Sequence, residues 1–309
     1  MASPKQRPQK ILLAVDLKAD NFAATKHVWE TAKLIGSDRA AILPVAVLNR
    51  EDAAVGNILK GSIGKLSSAA ANHLDAQLRK LGLRNLKASS VLFADGSSTT
   101  RAVQALVHHA QKNKCDLIAL GSHSRKGLER LLLGSFAETL SLTSPLPLLI
   151  VNPHYRPPTG KLRTVLFPTD FSPQSKLALK AVGQSLRGTS TQLTLYHQFE
   201  TAFQPYPEPF VGVPLPREAI EEERKLKETL GQEWCSELKK QGVRAQWKMN
   251  VKPSRTSDAI LDFAHRSGMG LIALTSHTGK FGNLIFGSVT RQVMRNSSVP
   301  VWVLPPRKK

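Results

Sequence analysis

One pair of residues in this chain, Gly134-Ser135, has the types and the place, after a polar loop and at a helix start, to hold an anion. Glycines let the backbone approach an oxygen closely, and a Gly-Ser pair that opens a helix aims unpaired N–H groups outward. That is the chemistry of phosphate recognition, and it needs no nucleophile. The stretch LIALGSHSRKGLERLLLGS, residues 117–135, returns as LIALTSHTGKFGNLIFGS, residues 271–288. In each copy an apolar strand leads through a polar loop to Gly-Ser.

The elements that must position these residues are also written twice. A shift of 154 positions pairs Asp16 with Asp170, Leu106 with Ile260, Ala110 with Ala264, and Ser122-His123 with Ser276-His277. A period this long makes each copy a whole domain rather than a stacking module of about 20–50 residues. The linker is NPHYRPPTG, Asn152 to Gly160, rich in residues that break strands and helices, so the expected domains are 1–155 and 156–309. Each copy opens with a short apolar run ending in Asp, ILLAVD or VLFPTD, followed by an amphipathic helix. The first helix carries Ala24, Val28, Thr31, Ala32 and Ile35 on one face. The second starts at Ser172-Pro173, a cap followed by the residue best tolerated in the first turn, and carries Ala178, Ala181, Val182 and Leu186. Further strands are expected at AAILPVAVL and QLTLYHQ, at 88–93 and 246–251, at DLIALGS, and at PLLIV and VPVWVL. Longer helices lie between, marked by Leu226, Leu230, Trp234 and Leu238 in the second copy, and by Val103, Leu106, Val107 and Ala110 in the first. Continuous apolar strands alternating with amphipathic helices predict a parallel sheet covered on both faces. Ligands of such sheets sit at the carboxyl ends of the strands where the winding reverses, which makes Asp16 and Gly121 neighbours.

The pattern resembles the universal stress protein family in its tandem form, over nearly the whole chain. The marks are the Asp closing strand one (Asp16, Asp170), the strand-four endings LIALGSH and LIALTSH, the Gly-Ser of LLLGSFAETL and LIFGSVTRQV, and a final Pro-led strand. The resemblance implies an α/β fold of two doubly wound domains, each a five-stranded parallel sheet of order 3-2-1-4-5 with helices on both faces. It implies ATP along strands one and four, pairing through strand five, and hence an intramolecular pseudo-dimer of the two halves, with a homodimer of the whole chain left open. In nucleotide-binding members the loop reads G-x-x-G, nine residues, then G-[ST]. The first copy has Gly121, then Ser124 in place of the second glycine, nine residues, and Gly134-Ser135. A left-handed Ser124 would cost about 1–2 kcal/mol, against about 8 kcal/mol for micromolar binding. The second copy has Thr275 and Thr278 at the two glycine positions and a loop one residue shorter. Deleting one residue moves a helix start by up to about 3.5 Å, more than a phosphate hydrogen bond tolerates. ATP, with Mg, is therefore expected in the first half only. By resemblance Asp16 accepts near the adenine, Gly121, Ser122 and Ser124 flank ribose and phosphates, and Gly134-Ser135 binds the phosphate tail. An Asp ending a parallel strand serves equally to cap the next helix, and a Gly-Ser start can be a cap alone.

Other features are less specific. Arg125, Lys126 and Arg130 in the first loop suit polyphosphate, where the second keeps only Lys280, yet isolated surface cations are usually just solvated. Ser122, His123 and Asp16 do not form a hydrolytic triad, since adjacent residues on a strand end point to opposite sides and no G-x-S-x-G elbow occurs. His108 and His109 are successive on a helix and cannot face one metal. The net charge of +20 attracts polyanions, but at 6% aromatic residues stacking platforms for nucleic acid are sparse. A hydrolase of related fold and a basic nucleic-acid binder remain the other classes. Cys115 and Cys235 lack metal-ligand spacing and read as reduced thiols. No run reaches the ~20 apolar residues of a membrane helix, and the start MASPKQRPQK suits no signal peptide, so a cytoplasmic protein without a membrane partner is expected. Two stretches read as covers over the sites: residues 55–64, and the Pro-rich residues 205–218 with Tyr206 and Phe210. The charged stretch 221–227 reads as a solvated helix face.

Overall fold

The computed structural model describes residues 8–17, 22, 24–36, 39–49, 63–94, 96, 98–122, 134–152, 154–157, 160–200, 216–275, 277–278, 284–285 and 287–305. In the first half the order is β1 (Lys10–Ala14), α1 (Thr25–Ile35), β2 (Ala41–Asn49), α2 (Ile63–Lys80), β3 (Ser90–Ala94), α3 (Thr99–Lys112), β4 (Leu117–Gly121), α4 (Ser135–Thr143) and β5 (Leu148–Val151). The second half repeats it: β6 (Thr164–Pro168), α5 (Pro173–Leu186), β7 (Gln192–Gln198), α6 (Arg217–Lys240), β8 (Arg244–Asn250), α7 (Thr256–Arg266) and β9 (Ile272–Thr275). Two-residue strands β10 (His277–Thr278) and β11 (Leu284–Ile285) follow, then α8 (Ser288–Asn296) and β12 (Val301–Leu304).

Strand order within each half is the expected one. The first runs β3-β2-β1-β4-β5 and the second β8-β7-β6-β9-β12, all parallel inside a half. The halves join edge to edge, β5 pairing antiparallel with β12 through Ile150↔Val301, Leu149↔Trp302 and Leu148↔Val303. The result is one ten-stranded sheet.

Strand alternation divides the core into two layers, one on each face of the sheet. Ile11, Leu13, Leu149 and Val151 point to one face, where α1, α2, α5 and α6 cover them; Leu12, Ile118, Leu148 and Ile150 point to the other, under α3, α4, α7 and α8. Both layers cross the join, since Trp302 and Leu304 belong to the first and Val301 and Val303 to the second. Residues on every strand of β5 and β12 are buried, which explains why both read as unbroken apolar runs.

Helix starts follow local chemistry. Ser172 accepts from the Ser175 N–H at 3.1 Å and Pro173 opens α5, as its sequence indicates. On α3, Ala102, Val103, Leu106 and Ala110 are buried, whereas Val107 is only partly so. Leu226 departs from expectation, being 55% exposed. With 24 residues α6 is about 36 Å long, while the seven residues of β8 extend about 23 Å. The helix therefore overhangs the sheet, and its buried positions begin only at Gly231.

The linker is docked rather than slack at its start. Asn152 is buried and donates through Nδ2 to the Ser297 carbonyl at 3.3 Å, and the Tyr155 hydroxyl donates to the Gly270 carbonyl at 3.3 Å. Burial pushes the Tyr155 phenol up to about 12. A further tie between the halves joins Arg295 of α8 to Glu138 of α4, Nη2 to Oε1, at 2.7 Å. Among the described residues no helix is long and apolar enough to cross a membrane.

Candidate functional site

In the first half the register Leu13↔Ala119 between β1 and β4, carried three residues on, brings Asp16 level with Ser122 at the carboxyl edge. Asp16 is half-buried there and has a bonding partner of its own. Gly121 closes β4, and a methyl group in place of its hydrogen would meet only ordinary contacts, Val28 Cγ2 at 3.6 Å and the Val151 carbonyl at 3.9 Å. Packing alone thus does not demand glycine. Ser122 is buried, and its N–H already donates to the Val151 carbonyl at 2.9 Å, with its Oγ at 3.5 Å from the same oxygen. It holds the end of β4 against β5 and has no backbone donor left for a ligand.

Gly134 is the N-cap of α4, extended at φ −61° and ψ 152°, and Ser135 is the first helical residue. Gly134 has no side chain with which to cap this start, so among the described residues the first N–H groups of α4 are the available donors on the first half's edge. Ser124, His123, Arg125, Lys126 and Arg130 lie outside the described residues, as do residues 55–62 of the first covering stretch and 205–215 of the second.

The second half carries a well-formed cleft of about 390 Å³ at the same edge. Its floor is where β6 and β9 part, because their register holds a single pair, Leu166↔Ile272, against three between β1 and β4. Its walls come from the end of β6 with Asp170, the end of β7 with His197 and Glu200, α6 with Glu223 and Lys227, the end of β9, and the starts of α5, α7 and α8. Thr275 stands at the end of β9, and Thr290 of α8 donates to its carbonyl at 3.3 Å. The shortened loop is tied by the antiparallel pairs His277↔Ile285 and Thr278↔Leu284, a ladder that periodicity did not indicate.

Local hydrogen bonds explain the geometry of the cleft's wall. Asp170 Oδ1 accepts from the Ser172 N–H at 2.9 Å, a turn that leads into α5 while Ser172 itself caps the helix. The Thr169 hydroxyl accepts from the Phe171 N–H at 3.0 Å, and the Thr169 carbonyl accepts from His197 Nδ1 at 2.8 Å. That bond assigns the proton to Nδ1 and leaves Nε2 as an acceptor. Burial, foremost, holds the His197 imidazole below its ordinary value; Lys227 adds to this, while the Thr169 bond, Asp170 and Glu200 oppose it. Phe171 has φ 61°, a left-handed backbone uncommon for a bulky residue. It is kept there by rings on three sides, His197 at 5.2 Å, Trp234 at 5.1 Å and Trp247 at 5.6 Å between centroids, and the Lys227 ammonium lies 5.7 Å above it.

These cleft residues were not singled out by sequence. Lys227 and Glu223 fall in the stretch read as a solvated face; Glu221 and Arg224 form an exposed i, i+3 ion pair there and Glu223 is exposed at the rim of the cleft, while Lys227 is half-buried beside it. The signal was the polar ending of QLTLYHQ, where the first copy ends in AVLN. Elsewhere, His108 is exposed and His109 half-buried on α3. Both cysteines are free and buried, and burial raises their thiols.

Two doubly wound α/β domains sharing one sheet, each with its candidate site where strand order reverses, define the class of protein. The model of the universal stress protein family matches residues 8–152 and again 161–305. The chain belongs to the universal stress protein family, with two copies of its domain. A universal stress protein of Methanocaldococcus jannaschii is 29% identical over 143 residues, which are 46% of this chain and 81% of that protein. Among solved structures, a universal stress protein from Archaeoglobus fulgidus is similar over 97% of this chain and 99% of its own, with TM-score 0.63 and 19% identity. A Pseudomonas aeruginosa protein described as functionally unknown is similar over 97% and 94%, with TM-score 0.62 and 18% identity. At these identities the likeness speaks to the fold.

Proposed function

We propose that this chain is a regulatory universal stress protein whose first half binds ATP with Mg and whose second half does not hold a triphosphate. The domain boundary falls at residues 155/156, and the β5–β12 pairing supports reading the halves as an intramolecular pseudo-dimer. The observation that carries the nucleotide reading is the start of α4 at Gly134-Ser135, where the N-cap residue has no side chain of its own, on the edge where Asp16 and Gly121 follow neighbouring strands. Its N–H groups suit a phosphate tail. Asp16 would accept from the base or its vicinity, with Ser124 at the phosphate loop. Ser122 is assigned to shaping the site rather than to donating. Mg would be carried chiefly by the phosphates, as is usual for that ion.

In the second half Asp170, Glu200 and Glu223 face the cleft, and three carboxylates repel a polyanion. Calorimetric titration of Mg-ATP into the wild type and Gly134→Val tests the reading. Gly134 has an extended backbone that valine adopts without strain, so the variant is expected to fold and to lose the binding heat. Undiminished heat in the variant places the nucleotide elsewhere, and an absence of heat in the wild type removes the proposal.

A further inference from the structure

Unanswered charge gathers at the edge where the strands of the first half begin, at the opposite ends of the same strands from Asp16 and Gly121. Lys10 opens β1, Arg39 leads into β2, and Arg79 and Lys80 close α2. Arg84 and Lys87 lie between α2 and β3, with Lys112 and Lys114 at the end of α3. Lys10 is half-buried and the other seven are exposed. None of these eight side chains has a hydrogen bond or ion pair among the described residues. Two acids stand with them: Asp75 accepts from the N–H and the hydroxyl of Ser89, and Asp116 accepts from the N–H groups of Gln9 and Lys10. Counted at full charge, they still leave eight cations against two anions. Residues 1–7 and 37–38, which adjoin this edge in sequence and lie outside the described ones, hold Lys5, Arg7 and Asp38 and so do not reverse the sign. Cations in a last turn complement a helix dipole, which accounts for Arg79, Lys80 and Lys112. Lys10, Arg84 and Lys87 lie outside any helix.

The backbone shapes this edge differently from its counterpart in the second half. Val45 and Tyr196 hold one register, against Ala14 and Pro168, and their outer partners are Ser90 and Lys248. From Gly82 to Ser90 the chain takes eight residues, and from Gly242 to Lys248 it takes six. With two residues more, β3 does not pair with β2 before Ser90 except at the bridge Ile42↔Leu86, whereas β8 pairs with β7 from Arg244 onward. Asn85 turns the longer segment at φ 57°. Beside it is a hollow of about 360 Å³, and Arg79, Arg84, Asn85 and Lys87 line it, with Leu83 and Leu86 beneath. All of its lining residues are among the described ones. Three cations therefore converge on a recess that an oxyanion group can enter.

The extent of the patch suits a long, rigid polyanion rather than one small anion. From β3 to β4 are three strand spacings, about 14 Å. The helices α2 and α3 lie on opposite faces of the sheet, and each is about 10 Å thick, so the patch is about 20 Å across. A nucleic-acid duplex carries one charge per ~1.7 Å, so a 20 Å length presents about a dozen phosphates, roughly half of them toward the protein. Contacts to phosphate need no stacking platform, which a single strand would use. The exposed large apolar side chains, Leu17, Leu177, Leu226 and Val251, all lie away from this edge, so among the described residues nothing here inserts into lipid. Because β5 and β12 run antiparallel, the cleft of the second half opens on this side of the sheet too. Its carboxylates begin at β6, four strand spacings or about 19 Å from β4, roughly twice the Debye length at 0.1 M salt. They bound the patch without cancelling it.

We propose that this edge of the first half binds double-stranded nucleic acid through its phosphate backbone, with one phosphate seated in the hollow between Arg79, Arg84 and Lys87. The inference does not rest on nucleotide binding by the first half, whose candidate site is at the other ends of the strands. The probe is a fluorescently labelled DNA duplex of about 20 base pairs, titrated with the full chain and read by anisotropy between about 50 and 200 mM salt. Log affinity is expected to fall against log salt with a slope of about −4 or steeper, as contact with about five phosphates requires. Arg79→Gln/Arg84→Gln/Lys87→Gln is expected to make that slope shallower by about 2–3 and to weaken binding at least about tenfold at 0.1 M salt. Lys239→Gln/Lys240→Gln/Arg244→Gln removes equal charge from the second half and is expected to change affinity by less than about threefold. All six residues are exposed, and circular dichroism reports whether each variant keeps its fold. Two duplexes of unlike sequence are expected to bind alike, and saturation with Mg-ATP to leave the titration unchanged. Equal losses in the two triple variants would assign the binding to net charge and overturn the proposal. So would a salt slope unchanged in the first variant, no saturable anisotropy change, or binding to phosphatidylserine vesicles or poly-glutamate as tight as to the duplex.

Discussion

Gly231 sits in the interior of α6, where alanine ordinarily stabilises a helix by about 0.5–1 kcal/mol. Here the opposite is expected. A methyl group at Gly231 would stand 2.3–2.6 Å from three atoms of the Trp247 indole, far inside van der Waals contact. The indole is a rigid plane, held by its ring contact with Phe171 at 5.6 Å, and it is packed against the core. Overpacking of this kind costs about 1–3 kcal/mol, and three close atoms put the site near the upper end. Subtracting the helix gain leaves Gly231→Ala destabilised by about 2 kcal/mol. Urea unfolding followed by far-ultraviolet circular dichroism measures this as a lower midpoint with an unchanged slope. A smaller ring should relieve the clash, so in the background of Trp247→Leu the same glycine change is expected to cost far less, and the double-mutant cycle gives the coupling directly. Equal or greater stability of Gly231→Ala in the wild-type background would refute the reasoning, as would equal costs in both backgrounds.

The tie between Arg295 and Glu138 is partly exposed, at 36% and 29%, so Arg295→Met is expected to lower stability by about 0.5–1 kcal/mol at low salt. The loss should shrink near 1 M salt, and a salt-independent difference would assign it to packing instead. For His197 the folded value lies below the unfolded one, so as pH falls through the ordinary histidine range the unfolded chain binds its proton first. Stability should therefore drop between about pH 6.5 and the lower folded value, with no contribution above that window. Going from about pH 7 to about pH 5, the wild type is expected to lose more stability than His197→Gln, and parallel losses in the two proteins would contradict the assignment.

The fold was legible because the inner strands are buried on both faces, unlike the edge strand β8. LLIV and VWVL cannot lie at an exposed edge, and the 154-residue shift repeats strand and helix in one order, so a doubly wound pair follows from pattern alone. The site was legible only in part. Asp16 and Gly121 fall where strand order reverses, and Gly134-Ser135 opens a helix as its sequence indicates. At Ser122 a backbone N–H carries no mark in the sequence of which carbonyl it meets, and here Val151 takes it. The cleft of the second half was hidden for a related reason. His197 and Lys227 are 30 residues apart on different elements, and only the packing of α6 beside β7, around a phenylalanine with positive φ, brings them to one cavity. Gly231 likewise makes no sense until Trp247 is seen across from it.

The antiparallel seam between β5 and β12 also sets what evolution can do with this chain. Both strands have a neighbour on each side, so no third copy can add to the sheet at that point. In a dimer of identical chains, every substitution is made at both symmetry-related places and must suit both. Covalent fusion releases that constraint. A histidine can enter one site while an alanine stays in the other, so two edges of unlike chemistry can share one sheet and always be present in equal number.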